Sequence, residues 1–156
     1  MAKILIVDDD PEVLIMLQRL LETDGHEGVT AESGLKALEL IKLNAFDLVV
    51  ADLRMPRMDG LELLREVKAI ESTLPVILVT AYASSETAIE AVRCGAFDYL
   101  FKPFKVKDLL TTVERALNTD KDHTRATDMY SGDNPAIKEY LGSGKKESRG
   151  EDKGTA

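Results

Sequence analysis

The sequence contains one cysteine, Cys94, two histidines and no tryptophan. A single cysteine excludes an intrachain disulfide, and these side chains are too few for a four-ligand Cys/His zinc site. We expect Cys94 to be a buried helix residue. With only one cysteine, the sequence gives no sign of an oxidising compartment. Near the N-terminus, the apolar run Ile4–Val7 turns acidic after four residues, too short for a signal peptide or a membrane span. We therefore expect a cytoplasmic protein without a membrane segment.

The chain also lacks an excess of positive charge. Its formal charge is −8 at neutral pH. Eight acidic and seven basic residues follow Asn118, which leaves 20 acidic and 13 basic residues, or −7, for residues 1–118. This balance argues against direct nucleic-acid binding, which depends on neutralisation of phosphates by Lys and Arg. It is more typical of a cation site with protein partners.

What the sequence does have is a regular alternation of short apolar runs and amphipathic stretches. The runs predict five strands: Lys3–Asp8, Glu27–Ala31, Asp47–Ala51, Pro75–Thr80 and Phe97–Phe101. Five such units within about 118 residues predict an α/β fold, a parallel sheet covered by helices on both faces. The flavodoxin-like strand order is one of two common solutions for such a sheet.

Local signals define where the helices begin and which faces they bury. Asp10 followed by Pro11 predicts an N-cap and a first helical residue. Leu35, Leu38 and Ile41 have helical spacing and predict the apolar face of the second helix. The later helices are expected at Gly60 onward, Ser84–Cys94 and Lys105–Leu117.

Charged residues follow three of the predicted strands. Asp8 and Asp9 end the first, Asp52 ends the third, and Lys102 follows the fifth. The carboxyl ends of parallel strands share one crevice, so these groups are expected to converge. Mg²⁺ prefers oxygen ligands, and a transferring phosphoryl group needs positive charge around it. The set therefore predicts Mg²⁺-dependent phosphoryl chemistry with Asp52 as the nucleophile.

Each of these residues also has a plainer interpretation. Asp52 could cap a helix or a turn, Asp8 and Asp9 could be solvated acids at a strand end, and Lys102 could be a surface lysine. Pro56 and Gly60 shape the loop after Asp52 while two other acidic positions converge on it, which favours the functional interpretation.

Four separated segments resemble the receiver (CheY-like) domain of two-component response regulators. They are Ile4–Asp10, Asp52–Gly60, Val76–Ala81 and Ala96–Phe104. The resemblance covers residues 1–118 without a gap. It implies a flavodoxin-like three-layer sandwich with five parallel strands in the order 2-1-3-4-5. It also implies transfer of a phosphoryl group from the phosphohistidine of a sensor histidine kinase, or of a phosphotransfer protein, to Asp52.

The resemblance further implies roles for the residues around Asp52. Asp9 and Asp52 would coordinate Mg²⁺ directly, Asp8 would act mostly through water, and the backbone carbonyl of Arg54 would complete the protein ligands. Lys102 would form a salt bridge to the incoming phosphoryl oxygen. No other cofactor is implied.

A second group of residues is assigned to switching and to the lifetime of the acyl phosphate. Thr80 matches the switch position, where its plainer role is that of a β-branched sheet residue. Tyr99 would turn inward when Thr80 moves, although a half-exposed strand aromatic is compatible with the sequence. Arg54 and Tyr82 would flank the path of the attacking water and tune its rate. The bond before Pro103 is a candidate cis peptide.

We expect residues 119–156 to be a polar, largely flexible tail, with a possible short helix near residues 135–141. That stretch faintly resembles the junction at which some receiver-containing activators begin an ATPase domain. No phosphate-loop motif is present, because Lys146 follows Gly144-Lys145 and Glu139 stands where the motif needs its first glycine. The chain could thus be a free-standing receiver or a truncated receiver of a larger transcriptional regulator.

Three further classes of protein are compatible with parts of the sequence. A haloacid-dehalogenase-like phosphatase would need a second Asp two residues after Asp52, where Arg54 stands. A flavodoxin would need a phosphate-binding loop in place of Asp8–Asp10. A phosphorylation-independent, protein-binding module would not use the acidic set. For a receiver, the face Ser84–Leu117 is the expected surface for a homodimer or a downstream protein.

Overall fold

The computed structural model of the chain describes residues 1–82 and 84–118. Within these ranges, strands and helices alternate from β1 to α5. The strands are β1 (Lys3–Val7), β2 (Glu27–Ala31), β3 (Leu48–Asp52), β4 (Val76–Thr80) and β5 (Asp98–Phe101). The helices are α1 (Pro11–Thr23), α2 (Gly34–Leu43), α3 (Gly60–Ile70), α4 (Ser85–Arg93) and α5 (Val106–Asn118). Every strand begins and ends within one residue of its predicted bounds. The predicted tail and its short helix lie outside the described residues.

The strands form one parallel sheet in the order β2-β1-β3-β4-β5. This confirms the predicted fold class and strand order. β2, which contains Gly28, lies at an edge as expected. None of the helices in the described ranges is both long and apolar enough to cross a bilayer.

Side chains that alternate along each strand divide the core into two layers. On one face, Leu5, Val49 and Leu78 pack with side chains of α2, α3 and α4. On the other face, Ile6 and Val50 pack with side chains of α1 and α5. Because the side-chain period of a strand is two, consecutive residues of β1 and β3 belong to opposite layers. Central strands are therefore apolar without interruption, as a sheet covered on both faces requires.

Hydrogen bonds at the helix ends account for where the helices begin. The Asp10 side chain accepts from the Glu12 N–H at 2.9 Å, which confirms Asp10 as the N-cap of α1. Asp59 and Glu62 form a reciprocal capping box at the start of α3. Ser84 is the N-cap of α4, so this helix starts one residue later than predicted.

Two predictions about burial are wrong. Leu35 is 54% exposed, and α2 instead buries Gly34, Ala37, Leu38 and Ile41. The spacing of Leu35 fits an apolar stripe, but the buried side of the helix runs through Ala37, which is fully buried, and leaves Leu35 outside it. Cys94 is the C-cap of α4 and is only partly buried, because α4 ends at Arg93.

We expect Gly60→Ala to lower the free energy of unfolding by about 1–3 kcal/mol. A Cβ at this position would lie 2.5 Å from the Asp52 carbonyl oxygen and 2.8 Å from Leu53 Cα, both backbone atoms. Gly34→Ala is the matched control, since the three heavy atoms nearest to its Cβ would all belong to the flexible Met58 side chain. Urea unfolding of the two variants measures the difference. Equal losses would contradict the argument from backbone proximity.

Candidate functional site

Three carboxylates meet at the carboxyl edge of the sheet. Val7 of β1 is paired with Ala51 of β3, so the residues that follow these two positions emerge side by side. Oxygen atoms of Asp8, Asp9 and Asp52 all lie within 4.8 Å of one another. The register of two neighbouring strands thus brings together acids that are more than forty positions apart in the sequence.

Lys102 adds one positive charge to this cluster. It follows β5, and its backbone N–H donates to the Thr80 carbonyl at 2.8 Å. Its Nζ lies 3.2 Å from Asp8 Oδ2 and 3.7 Å from Asp52 Oδ1. The peptide bond between Lys102 and Pro103 is cis. The sequence expectation that three acids and one lysine converge therefore agrees with the observed geometry.

The three acids differ in exposure and in their hydrogen bonds. The side chain of Asp8 is only 4% exposed, and its second oxygen, Oδ1, accepts from the Asp10 N–H at 2.9 Å. Both oxygens of Asp8 therefore have partners within the protein. Asp52 is 11% exposed at its side chain, whereas Asp9 is exposed. Asp9 and Asp52 are thus freer than Asp8 to bind a ligand from solution.

Burial raises the pKa of the Asp52 carboxyl above its ordinary value of 3.8. The Lys102 ammonium opposes this rise, the negative charge of Asp8 adds to it, and hydrogen bonds from the backbone around Leu53 and Arg54 also oppose it. One lysine does not balance three ionised acids. Hard oxygen donors this close together, with a net negative charge, fit a Mg²⁺ ion, whose binding would relieve the repulsion.

The loop after Asp52 has a defined backbone shape. The Gly60 N–H donates to the Leu53 carbonyl at 2.8 Å, and the Met58 N–H donates to the Pro56 carbonyl at 2.7 Å. Arg57 adopts a positive φ of 68°, which is uncommon for a residue other than glycine. These contacts return the chain to the start of α3 and hold the segment that follows Asp52 against the sheet edge.

Thr80 lies on β4, the neighbour of β3, and Tyr99 lies on β5, the edge strand beyond it. Thr80 is buried at the end of β4, and its Oγ1 accepts from the Tyr82 N–H at 3.0 Å. Tyr99 is 0% exposed, so it is not the half-exposed strand aromatic of the plainer interpretation. Its ring contacts Phe101 edge to face, with centroids 5.5 Å apart. Packing against α4 and its hydrogen bonding account for this burial.

Sequence reasoning missed Thr87, whose Oγ1 lies 2.6 Å from the Tyr99 hydroxyl. The spacing Ser84-x-x-Thr87 is a weak form of a capping-box pattern and could have identified the residue as part of the α4 N-terminus. The contact with Tyr99 joins α4 to β5 and was not readable from that spacing.

Arg54 and Tyr82 are in contact at the rim of the site. The Arg54 guanidinium lies 4.9 Å from the centre of the Tyr82 ring, a cation–π arrangement. Tyr82 is 61% exposed and Arg54 is also exposed. The two side chains predicted to tune the site are thus adjacent in space, although they lie on different loops.

We expect Asp52→Asn to raise the free energy of unfolding at neutral pH in magnesium-free buffer. Since the pKa of Asp52 is raised in the folded protein, the folded state holds its proton more tightly than the unfolded state. Stability is therefore lost as the pH rises from the unfolded pKa through the folded pKa, and the ionised carboxylate remains a cost at neutral pH. Urea unfolding at neutral pH and near pH ~4 measures the difference in free energy of unfolding between Asp52→Asn and wild type. We expect this difference to be smaller at the lower pH.

Glu66→Gln, an exposed substitution on α3, controls for the loss of one negative charge. An equal gain in this control, or a loss of stability in Asp52→Asn, would contradict the argument from burial.

The sequence matches known proteins over the same region. The family model of the response regulator receiver domain matches residues 4–114. Transcriptional regulatory protein ZraR of Escherichia coli (strain K12) is 44% identical over 134 residues, which cover 86% of this chain and 29% of that protein. Regulatory protein AtoC of the same strain is 49% identical over 115 residues, which cover 74% of this chain and 25% of AtoC. The chain thus spans less than a third of the length of either regulator.

The fold is likewise similar to solved structures. The response regulator receiver domain protein from Clostridium thermocellum superposes with a TM-score of 0.72 at 38% identity, covering 76% of this chain and 95% of that one. The family match runs through all four of the segments that carry the resemblance, and the strand order agrees with it. This chain belongs to the family of response-regulator receiver domains.

Proposed function

We propose that Asp52 accepts a phosphoryl group from the phosphohistidine of a sensor histidine kinase or a phosphotransfer protein. The observation that carries this proposal is the convergence of Asp8, Asp9, Asp52 and the Lys102 ammonium at one edge of the sheet. A carboxylate oxygen of Asp52 attacks phosphorus, and the phosphorus–nitrogen bond breaks. The electron pair of that bond stays on the imidazole, which leaves as a neutral group when its other nitrogen carries a proton. The product is an acyl phosphate on Asp52.

Lys102 neutralises charge on the transferred phosphoryl group. Its distance of 3.7 Å from Asp52 Oδ1 keeps the ammonium beside the carboxylate that reacts. Asp8 positions this lysine through the closer contact of 3.2 Å. The buried Asp8 therefore acts as a support for Lys102 rather than as a second phosphoacceptor.

Asp9, Asp52 and the Arg54 backbone carbonyl would hold a Mg²⁺ ion, with Asp8 acting through water. This division is supported by the hydrogen bonds of Asp8, both of whose oxygens have protein partners. When bound, the ion supplies positive charge to the phosphoryl oxygens and reduces repulsion among the acids. The protein groups supply the nucleophile and the compensating ammonium.

Thr80 and Tyr99 convert phosphorylation into a change of surface. The Thr80 hydroxyl, which accepts from the Tyr82 N–H, turns to donate its proton to a phosphoryl oxygen, and the buried position of Tyr99 becomes more populated. The face Ser84–Leu117 contains α4, β5 and α5, the elements next to these two residues. A homodimer or a downstream protein would bind there.

In this function, residues 1–118 act as the receiver domain and residues 119–156 follow it as a tail. The lengths of ZraR and AtoC support the view that the segment can be the receiver of a larger regulator. The domain modifies only itself, since the phosphoryl group is received and lost at its own aspartate. It works in the cytoplasm. Its net negative charge disfavours direct binding of nucleic acid.

Incubation with acetyl phosphate and Mg²⁺ should add one phosphoryl group to the protein, as measured by intact mass. We expect no adduct on Asp52→Asn and none when the divalent ion is chelated. Asp59→Asn, which alters a capping aspartate at the start of α3, is the control for a general loss of an acid near the loop. A wild-type protein that stays unmodified would refute the proposal and favour a phosphorylation-independent binding module.

Replacing Arg54 and Tyr82 together by alanine should shorten the lifetime of the acyl phosphate several-fold. The stacked pair lies at the rim of the site and restricts the approach of water to phosphorus. Decay of the isolated adduct, followed by mass or by released phosphate, measures this lifetime. The single variants show whether the stacked arrangement or one side chain is responsible. An unchanged decay rate in the double variant would remove this role.

A further inference from the structure

Thr87 lies between Tyr99 and the beginning of α4. Its Oγ1 is 2.6 Å from the Tyr99 hydroxyl, the shortest of its polar contacts. The same oxygen lies 3.0 Å from the Ser84 carbonyl, to which it can donate, and 3.2 Å from the Ser84 N–H, from which it accepts. The Thr87 N–H in turn donates to Ser84 Oγ at 3.2 Å. One side chain thus belongs both to the cap of a helix and to the surroundings of the switch tyrosine.

The Thr87 hydroxyl cannot form hydrogen bonds with all of its polar neighbours at once, because its donor and acceptor sites are limited. A hydroxyl has one proton and two lone pairs. If the proton goes to the Ser84 carbonyl, the lone pairs accept from the Ser84 N–H and from the Tyr99 O–H. Ser84 Oγ also lies 3.0 Å from Thr87 Oγ1 and is a fourth neighbour. It therefore competes with Tyr99 for the same lone pair.

This competition reduces the free energy lost when Tyr99 moves but does not cancel it, because the Tyr99 contact of 2.6 Å is shorter than the Ser84 Oγ contact of 3.0 Å. When Tyr99 leaves, the Ser84 hydroxyl can rotate its proton toward Thr87, so no buried polar atom loses its last partner. When Tyr99 returns, its hydroxyl takes the shorter contact. The arrangement of hydrogen bonds at the α4 N-terminus therefore differs between the two positions of the tyrosine.

We propose that the Thr87 hydroxyl is a positioning group that holds Tyr99 in its buried position and couples that position to the cap of α4. This inference rests on the proposed function, because it concerns the tyrosine that responds to phosphorylation of Asp52. It goes beyond that function in assigning a hydrogen-bond partner to the Tyr99 hydroxyl. It also provides a direct connection from the switch to the first turn of α4, on the face Ser84–Leu117.

The test compares Thr87→Val, which removes the hydroxyl at nearly constant volume, with Thr87→Ser, which retains it. Ring carbons of tyrosine are labelled, the Tyr99 signal is assigned with Tyr99→Phe, and its exposure is measured by relaxation from a soluble paramagnetic agent. We expect Thr87→Val to increase the exposure of the Tyr99 ring and Thr87→Ser to remain close to wild type. Thr112→Val is the matched control, since its hydroxyl donates within α5 to the Asp108 carbonyl.

A second readout connects the contact to the switch. Beryllofluoride, added with Mg²⁺ as a mimic of the phosphoryl group, is titrated while the Tyr99 signal is followed. We expect the midpoint for Thr87→Val to rise about two- to tenfold, as expected for one net hydrogen bond that favours the responsive state. Thr87→Ser should restore the wild-type midpoint.

The outcomes separate this inference from the proposed function. If wild type takes up acetyl phosphate on Asp52 but Thr87→Val changes neither the ring exposure nor the midpoint, the role of Thr87 is refuted and the phosphoacceptor function stands. If wild type takes up neither acetyl phosphate nor beryllofluoride, the proposed function fails. Ring exposure measured without beryllofluoride then still decides whether Thr87 holds Tyr99.

Discussion

Lys102 reaches from the end of β5, past β4, to two carboxylates at the ends of β1 and β3. Its ammonium lies within 3.7 Å of Asp52 and closer still to the buried Asp8. Three acids within 4.8 Å of one another would repel strongly in a site partly removed from water. The lysine compensates part of this repulsion, and the negative charge that remains favours binding of a cation. The chemistry of the site depends on that incomplete neutralisation.

The scaffold accepts this unfavourable charge because the rest of the sheet is apolar on both faces. Two layers of apolar side chains cover the strands, and the acidic cluster lies beyond them, at the carboxyl edge of the sheet. Gly60 lets the start of α3 approach the backbone of Asp52, since any Cβ would collide with it. The loop after Asp52 is held against the sheet, which positions the carboxylate. The same packing buries the carboxylate, and burial raises its pKa.

Under the proposed function, a signal from this edge would have a short path to the surface. Thr80 is buried one strand away from Asp52, and Tyr99 lies on the strand beyond it. The hydroxyl of Thr87 then joins the tyrosine to the first turn of α4. Each step involves a hydroxyl that can exchange partners, so the two states can be close in free energy.

Periodicity, caps and turns act between near neighbours, so the strands, the cap at Asp10 and the acids at strand ends could be predicted from the sequence, and these predictions agree with the structure. The errors and omissions arose where distant residues meet. Leu35 has the right spacing but lies outside the buried stripe, and Tyr99 is fully buried because α4 covers it. Thr87 was missed because its partner lies twelve positions away on another element. Which oxygen of Asp8 contacts Lys102, how deeply Asp52 is buried and which hydroxyl binds Tyr99 follow from strand register and from the packing of helices on the sheet, and no local pattern records them.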